Sequence, residues 1–462
     1  MKKLAVLMLL AATLAACAPP TPQVIKETVV VTKPVEVTKV VEKEVVVTPT
    51  PTPKGTVTLK VWIRGGAWYD HYTKIVEKWN ATHPDIQVVM ESIPAAKSTE
   101  EAIITAVATG SQPDLVDGML PCMGSLFGQF GTAVPLDTFP DFWEFAKARQ
   151  MEPIIRKTMW KGHVYVIPEH IFSLMMIWNL DLLKELGATE PPRTYGEFLE
   201  LAAKLKEKYP DKYALGMITK PKWWYRWGDF FMFYAAASEG ALFLVEGKDE
   251  KGNPILQVAL DSEPAKKVAE FVATLAENGY IPKEYMTLDS FYAGNVLASC
   301  DAFHGLPRFI EETYPDFNYV LSPPLVPDDY PADKPIWTDG GFKGMLMFSS
   351  CKHKEEAWEF MKFVFTEEHD AQLLEIVAAP PCRVDLATNP AFQKVLDTFP
   401  PQFKRFVEMA PRTIIYPVHP KHMDLWEAFS EQAWEPLVTG KKGPDEALAD
   451  AKRKMESILE KP

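Results

Sequence analysis

The chain has 462 residues, of which 62 are acidic and 49 are basic, so its formal net charge at pH 7 is −13. This length supports at least two hydrophobic cores. The composition, 47% hydrophobic and 24% charged, is typical of a globular protein apart from an excess of 40 prolines. Nucleic-acid binders normally carry a basic surface, so the acidic balance argues against a nucleic-acid partner.

The first 17 residues have the pattern of a targeting segment. Two lysines, an apolar run over residues 4–10 and several small residues precede Cys17, which is typical of a secretory signal that is too short to span a membrane. Leu14-Ala-Ala-Cys17 is similar to a bacterial lipobox, in which the cysteine is diacylated and becomes the mature N-terminus. We therefore predict a signal peptide over residues 1–16 and a lipidated Cys17. An accidental cysteine after an ordinary cleavage site is the alternative.

Residues 17–54 are predicted to form a lipidated N-terminus followed by a linker. From residue 18 onward the segment contains no aromatic residue and no glycine, and VVVT occurs at both Val29–Thr32 and Val45–Thr48. Valine and threonine favour extended backbone, and the prolines disfavour a helix. The pattern indicates a semi-rigid extended spacer. A hairpin built from the two valine runs is the alternative.

From about residue 55 the sequence alternates between strand-like and helix-like segments. Residues 56–63 alternate as a strand does, residues 70–80 place apolar side chains on one helical stripe, and residues 86–90 are again strand-like. Ser98 and Glu101 form a capping box that opens a helix, and a strand over residues 115–116 follows it. This β-α-β-α-β order predicts mostly parallel strands with helices on both faces.

Amphipathic helices continue through the rest of the chain. Thr194 and Glu197 form a second capping box, and Pro210 stops the helix that it opens. Three later segments have helical periodicity: 263–278, 354–365 and 445–459. Roughly 400 residues of this kind exceed one hydrophobic core, so the sequence predicts two α/β lobes.

Recognised catalytic and metal-binding motifs are absent from the sequence. It contains no G-x-S-x-G, Walker, dinucleotide-binding or H-E-x-x-H pattern, so we expect no catalytic residue, no cofactor and no metal site. The glycine-rich run 340–344 has the wrong spacing for a phosphate loop and is interpreted as a tight turn. His419 and His422, the closest pair of histidines, are interpreted as surface residues. Four cysteines follow Cys17 without C-x-x-C spacing, which leaves disulfides and buried thiols open: Cys122, Cys300, Cys351 and Cys382.

Six segments in chain order resemble landmarks of the extracellular solute-binding proteins of ATP-driven importers, the large family related to maltose and oligosaccharide binders. They are Gly110–Asp114, Trp160–Pro168, Trp178–Leu182, Pro191–Glu197, Phe291–Gly305 and Cys351–Phe360. Each segment is weak alone, but six in order are a specific signal. Ser299-Cys-Asp301 and Pro381-Cys-Arg383 depart from the usual pattern of these segments, close to the expected cleft.

The resemblance implies an α/β, two-lobed periplasmic-binding-protein-like fold of type II, with hinge crossings between the lobes and a ligand cleft. It places the crossings near Ile167–Pro168, near Gly341–Gly344 and near Ala378–Cys382. The first lobe would then comprise about 55–167 and 344–378, and the second about 168–343 and 379–462. Closure of the hinge would capture the ligand.

Candidate ligand-binding residues lie in loops after strands and at the crossings, because ligands of open α/β sheets bind outside the carboxyl ends of the strands. A sugar has an apolar face and a belt of hydroxyl groups, so its site needs aromatic rings together with fixed polar groups. The candidates are Arg64, Trp68, Asp117, Glu169, Trp224, Trp227, Trp337, Asp339 and Arg383. His170, beside the first expected crossing, is a further candidate. Several candidates also have a purely structural interpretation. Trp68 could cap a helix, Asp117 could be an ordinary turn residue, and Trp224 and Trp227 could be core residues. Hinge structure alone would explain the glycines beside Asp339.

We therefore expect a monomeric, lipid-anchored, extracytoplasmic subunit that binds a sugar or oligosaccharide and delivers it to an ABC permease. Its partners would be a small-molecule solute and the permease, with membrane contact only through the lipid anchor and no nucleic acid. The alternatives are a secreted carbohydrate-active enzyme that uses Glu169 and a binder of a non-sugar solute such as a quaternary amine. A third alternative is an envelope adhesion or scaffolding protein.

Overall fold

The computed structural model describes residues 56–96, 98–216, 223–248, 254–283, 288–415 and 418–460, without the side chains of residues 223–228, 248, 254, 288 and 301. Cys17, the predicted signal peptide and the predicted linker lie outside the described residues. Across the described ranges, no helix combines the length and the apolar character needed to cross a membrane.

The described strands form two main sheets and one hairpin. In chain order they are β1 Val57–Ile63, β2 Ile86–Ser92, β3 Leu115–Met119, β4 Val166–Ser173, β5 Met175–Asn179, β6 Tyr213–Gly216, β7 Leu244–Lys248, β8 Pro254–Val258, β9 Val296–Ala302, β10 Tyr319–Ser322 and β11 Gly340–Met347. The first sheet has the order β2-β1-β3-β11-β4 and the second the order β10-β5-β9-β6, while β7 and β8 pair with each other.

The helices alternate with strands in the first part of the chain, and the last seven all follow β11. In chain order they are α1 Ala67–Thr82, α2 Thr99–Thr109, α3 Pro121–Gln129, α4 Phe142–Ala148, α5 Glu152–Ile155, α6 Leu180–Glu185, α7 Tyr195–Lys208, α8 Trp223–Ala237, α9 Glu263–Glu277, α10 Leu288–Tyr292, α11 Leu306–Thr313, α12 Lys354–Val364, α13 Glu367–Val377, α14 Pro390–Leu396, α15 Lys404–Met409, α16 His422–Phe429, α17 Glu435–Val438 and α18 Pro444–Leu459. A π-helical turn, Ser430–Trp434, joins α16 to α17.

The first lobe is built on the β1-α1-β2-α2-β3 run that the sequence predicts. β1 pairs in parallel with both β2 and β3. The Oγ atom of Ser98 accepts a hydrogen bond from the amide of Glu101 at 3.1 Å, and Gly110 ends α2 in the left-handed conformation. Both ends of this helix are therefore fixed by local sequence signals.

The glycine-rich run at 340–344 is a strand, so its interpretation as a tight turn is wrong. It opens β11, which lies antiparallel between β3 and β4. A Cβ atom at Gly344 would lie 1.8 Å from the carbonyl oxygen of Ile167, and one at Gly340 would lie 2.1 Å from that of Phe172. Glycine at these positions lets the backbones of β11 and β4 approach closely, because a Cβ atom would collide with a carbonyl oxygen.

The second lobe is built around the four-stranded sheet. In it β5 lies antiparallel to β9 and β10, while β6 and β9 run parallel. The capping box at the start of α7 is confirmed: Thr194 accepts from the amide of Glu197, whose carboxylate accepts from the amide of Thr194. Large buried side chains fill the core beside this sheet, among them Trp178, Phe198, Phe231 and Trp434.

Within the described ranges, three segments connect the sheets of the two lobes. β4 pairs with β11 as far as Ser173 and β5 begins at Met175, so the first crossing lies at Leu174, later than the expected Ile167–Pro168. The chain returns at Gly340, where β11 begins. The third segment passes beside β4, where His170 and Pro381 form an isolated bridge. β4 stays in the first sheet along its whole length because β11 pairs with both of its ends.

The four cysteines of the body are all buried and all thiols. Burial raises the pKa of Cys122 and of Cys382 to about 12. These side chains therefore behave as small core residues, because the thiol and not the reactive thiolate is present at neutral pH.

Candidate ligand-binding site

Three charged side chains from separate segments meet at the carboxyl end of the first sheet. The Nε and Nη2 atoms of Arg64 donate to the two carboxylate oxygens of Asp117 at 2.8 and 3.0 Å. Nη2 also donates to Oε2 of Glu169 at 2.8 Å. The hydroxyl group of Tyr72 donates to the other oxygen of Glu169 at 2.6 Å. One guanidinium group thus holds two carboxylates in fixed positions.

The backbone explains how these groups reach each other. Arg64 directly follows β1, Asp117 lies in β3 beside it, and Glu169 lies in β4. Gly118 has a φ angle of +81°, and a Cβ atom there would lie 2.6 Å from Cδ and Nε of Arg64. A side chain at this position would displace the guanidinium group, so glycine allows the arginine to cross the β3 backbone.

The cluster is almost completely shielded from water. The Arg64 side chain is 14% exposed, while those of Asp117 and Glu169 are 0% and 2% exposed. Burial raises the pKa of both carboxyl groups above their ordinary values, and the charge of Arg64 opposes that rise. Burial also lowers the pKa of Arg64, but the two carboxylates outweigh it and the net shift is upward. The arginine therefore stays charged, and its charge favours the ionised form of both carboxyl groups against the effect of burial.

Aromatic rings surround this charged cluster. The guanidinium carbon of Arg64 lies 3.5 Å from the ring centroid of Trp68, in the first turn of α1. Trp68 contacts the ring of His170 at 4.5 Å between centroids, and His170 contacts His304 from the second lobe at 5.6 Å. Burial lowers the pKa of His170 well below its ordinary value and that of His304 to about 4. Both rings are therefore neutral at pH 7.

Residues of both lobes line a small cavity beside the crossings. A cavity of about 40 Å³ lies between the start of α3 and α16. It is lined by Leu120, Pro121, Cys122, Phe172, Gly340, Gly341, Phe342, Ile415, Val418, His422 and Trp426. Its volume accommodates water and not a sugar ring. The two lobes therefore approach each other closely here.

The structure brings together four of the sequence-predicted residues, Arg64, Trp68, Asp117 and Glu169. Of the others, Trp337 packs on Gly240 and the core of the second lobe, where a Cβ atom on that glycine would lie 2.5 Å from its ring. The side chains of Trp224 and Trp227 lie outside the described residues, although their backbone belongs to α8.

The two remaining candidates lie at the crossings. Asp339 is fully buried, its Oδ1 accepts from the amide of Gly340 at 2.6 Å, and its carbonyl accepts from the amide of Leu174 at 2.9 Å. Arg383 donates to the two oxygens of Asp385 at 2.8 and 2.9 Å and to Asp370 at 3.2 Å. Ligand contact by either residue stays a prediction.

Tyr72, His304 and Trp426 are not among the residues predicted from the sequence. Tyr72 is on the buried stripe of α1 and has no local feature that separates it from a core residue. His422, interpreted as a surface residue, is 2% exposed, so that interpretation is wrong. Its position four residues before Trp426 on α16 places both side chains on one helical face. That spacing was the one available signal.

The part of the chain that the structure describes contains no group of three His, Cys, Asp or Glu side chains arranged to hold a metal ion. The chemistry available at the site is hydrogen bonding by carboxylates, a guanidinium group and a phenol, next to aromatic surface. Such a combination fixes and orients a polar molecule that also has an apolar face.

Known proteins of similar sequence are binding proteins. The chain is 24% identical over 370 residues to the arabinooligosaccharide-binding protein of Halalkalibacterium halodurans, covering 75% of this chain and 76% of that protein. It is 23% identical over 399 residues to the maltotriose-binding protein of Pyrococcus abyssi, covering 84% and 78%.

The fold is also that of solved structures. An uncharacterized protein from Listeria monocytogenes EGD-e superimposes with a TM-score of 0.75 at 27% identity, covering 88% of this chain and 100% of that one. This likeness confirms the predicted two-lobed α/β fold. The sequence profile described as bacterial extracellular solute-binding protein matches residues 74–398, more than half of the chain. The chain therefore belongs to the bacterial extracellular solute-binding protein family.

Proposed function

We propose that this protein captures a sugar or oligosaccharide between its lobes and delivers it to the permease of an ABC importer. The observation that carries the proposal is the buried cluster of Arg64, Asp117 and Glu169 against the ring of Trp68. Fixed carboxylate oxygens accept hydrogen bonds from sugar hydroxyl groups, and an aromatic ring packs on the apolar face of a pyranose. The printed names of two relatives, binders of arabinooligosaccharides and of maltotriose, support the same class of solute.

The contacts of Trp68 disfavour the alternative of a quaternary amine. Cation–π recognition needs an aromatic face that is open to the ligand cation. One face of Trp68 already carries the guanidinium group of Arg64 at 3.5 Å, and His170 packs 4.5 Å from the same ring. A ligand cation on the remaining face would be repelled by this fixed guanidinium charge, whereas a neutral sugar would not be.

The test is calorimetric titration of the full chain with linear maltooligosaccharides and arabinooligosaccharides. Binding of at least one sugar is expected. Glu169→Gln should weaken that binding about tenfold or more, because a neutral amide replaces the buried carboxylate that pairs with Arg64. Glu144→Gln, at an exposed position of the same lobe, is the matched control and should leave the affinity unchanged. The absence of heat with every sugar would refute the proposal.

The same mixtures distinguish binding from turnover. Asp117 and Glu169 accept from the same Arg64 nitrogen at 3.0 and 2.8 Å, so two carboxyl groups are close together, as in glycosidases. Both are tied to arginine, and the members of this family are binding proteins. We expect the oligosaccharide to be recovered intact, and shortened products that disappear in Glu169→Gln would establish the enzyme instead.

The lipid anchor, the permease partner and the monomeric state belong to the same proposal. Mass spectrometry of the N-terminal peptide should find a diacylated Cys17, and Cys17→Ser should release the protein from the membrane fraction. Light scattering should give the mass of one chain with and without sugar. A Cys17→Ser variant that stays with the membranes would overturn the proposed anchor.

A further inference from the structure

A buried network of three charged side chains lies directly behind Glu169. Arg149, between α4 and α5, donates through Nε and Nη2 to the two carboxylate oxygens of Asp370 at 3.0 and 2.6 Å. Arg383 donates to Asp370 at 3.2 Å. The three residues are 3%, 2% and 7% exposed, so none of them is available to solvent.

Arg149 also binds the main chain of β4. Its Nη1 atom donates to the carbonyl oxygen of Pro168, and Nη2 donates to that of Glu169 at 3.2 Å. The Glu169 carbonyl accepts in addition from the amide of Cys382 at 2.9 Å, and the amide of Ile171 donates to Pro380 at the same distance. Arg149 therefore fixes the point at which the third crossing is joined to β4.

Glu169 is consequently held at both ends. Its carboxylate is bound by Arg64 and Tyr72, and its carbonyl is bound by Arg149 and by the third crossing. A buried ion pair contributes little net stability, because the desolvation of its charges offsets their attraction. We attribute its presence here to the geometry that it imposes on neighbouring groups.

Arg383 is likewise bound at the hinge, through carboxylates of the third crossing and of α13. Besides Asp370 it contacts both oxygens of Asp385, and its Nη2 atom lies 3.5 Å from Glu367 at the start of α13. Its planar guanidinium group therefore donates to Asp385 of the third crossing and to Asp370 of α13. The network thus joins α13, β4 and the third crossing through Asp370.

We propose that Arg149, Asp370 and Arg383 are positioning residues of the binding site, which hold the Glu169 main chain where its carboxylate meets Arg64 and the bound solute. This inference rests on the proposed function. It assigns Arg383 a role behind the site in place of the ligand contact that the sequence predicts.

The test is a double-mutant cycle on sugar affinity. In the full chain, Arg149→Lys keeps the charge but cannot reach a carboxylate and two carbonyls together, so affinity should fall about tenfold. In a Glu169→Gln background the same substitution should change affinity less than twofold, because the group that it positions is already lost. Arg156→Lys is the matched control, since its guanidinium pairs with Glu152 at the surface.

Additive effects of the two substitutions would overturn the inference, because a general loss of stability acts in either background. Circular dichroism checks folding, and Asp370→Asn replaces Arg149→Lys in the cycle if that variant does not fold. If the wild-type chain binds no sugar, the proposed function fails, and amide exchange then decides on the positioning role. Faster exchange in Arg149→Lys confined to residues 166–173 and 380–383 supports that role. Faster exchange across the whole first lobe, or none, refutes it.

Discussion

Replacing Arg64 by methionine tests the electrostatics of the site directly. Methionine fills much of the space of the arginine stem, so the main change is the loss of a charge that is 14% exposed. Asp117 and Glu169 would remain buried without their guanidinium partner. Breaking a buried pair in this way costs about 3–5 kcal/mol of the free energy of unfolding, and we expect a loss of that size at pH 7.

The size of this loss should depend on pH. Burial raises the pKa of Asp117 and Glu169, and removal of Arg64 removes the charge that opposes the rise. A carboxyl group whose folded pKa lies above its unfolded value of about 4 is stable in the fold at low pH and destabilises it as the pH increases. Acidification therefore neutralises the unpaired charges in Arg64→Met, and its deficit should shrink to about 1 kcal/mol near pH 4.5.

Urea unfolding followed by circular dichroism at pH 7 and pH 4.5 measures both quantities. Arg156→Met is the control, because the Arg156 side chain is 55% exposed and pairs with Glu152 at the surface. It should lose at most about 0.5 kcal/mol at either pH. An equal deficit for Arg64→Met at the two pH values would show that the carboxylates do not carry the effect, and the electrostatic reasoning would be wrong.

Three further substitutions, one of them with a matched control, test separate parts of the structure. Because the pKa of His304 is about 4, the unfolded chain binds more protons between pH 6.5 and 4. Stability should fall by up to about 3 kcal/mol across that window, and His304→Gln should remove this part of the slope in urea titrations. Gly344→Ala would place Cβ 1.8 Å from the Ile167 carbonyl and should cost about 3 kcal/mol. Gly443→Ala, with nothing within 4 Å, should leave the thermal midpoint within about 2 °C. Ser98→Ala removes the cap of α2 and should cost about 1 kcal/mol in urea unfolding.

Elements with local signals were predictable from the sequence. The cap at Ser98, the left-handed Gly110 and the capping box at Thr194 all lie within one turn of the helix end that they determine. The apolar stripe of α1 likewise depends only on the 3.6-residue period. Such features act through neighbours in the chain, so their reading needs no knowledge of the tertiary structure.

The error at β11 has the opposite cause. A glycine that permits a turn and a glycine that permits close backbone approach look the same in one sequence. The distinction at Gly344 depends on Ile167, which lies 1.8 Å from the hypothetical Cβ although it is far away in the chain. The crossing was misplaced for a related reason, since only the pairing of β4 with β11 shows that the strand continues to Ser173.

The candidate site shows the same contrast between local signals and contacts that are distant in the chain. Arg64, Asp117 and Glu169 were predicted from their expected places after a strand or beside a crossing, but the contacts that bring them together span 53 and 105 residues. Arg383 satisfied the same positional rule, yet its donors are directed at Asp370 and Asp385 inside the hinge. Position beside a crossing therefore brings a residue into the prediction without separating a residue proposed to touch the solute from one proposed to hold such a residue in place. That separation depends on where each donor is directed, and the positioning role proposed for Arg383 depends on Asp370, which lies on α13, in a different element of the fold.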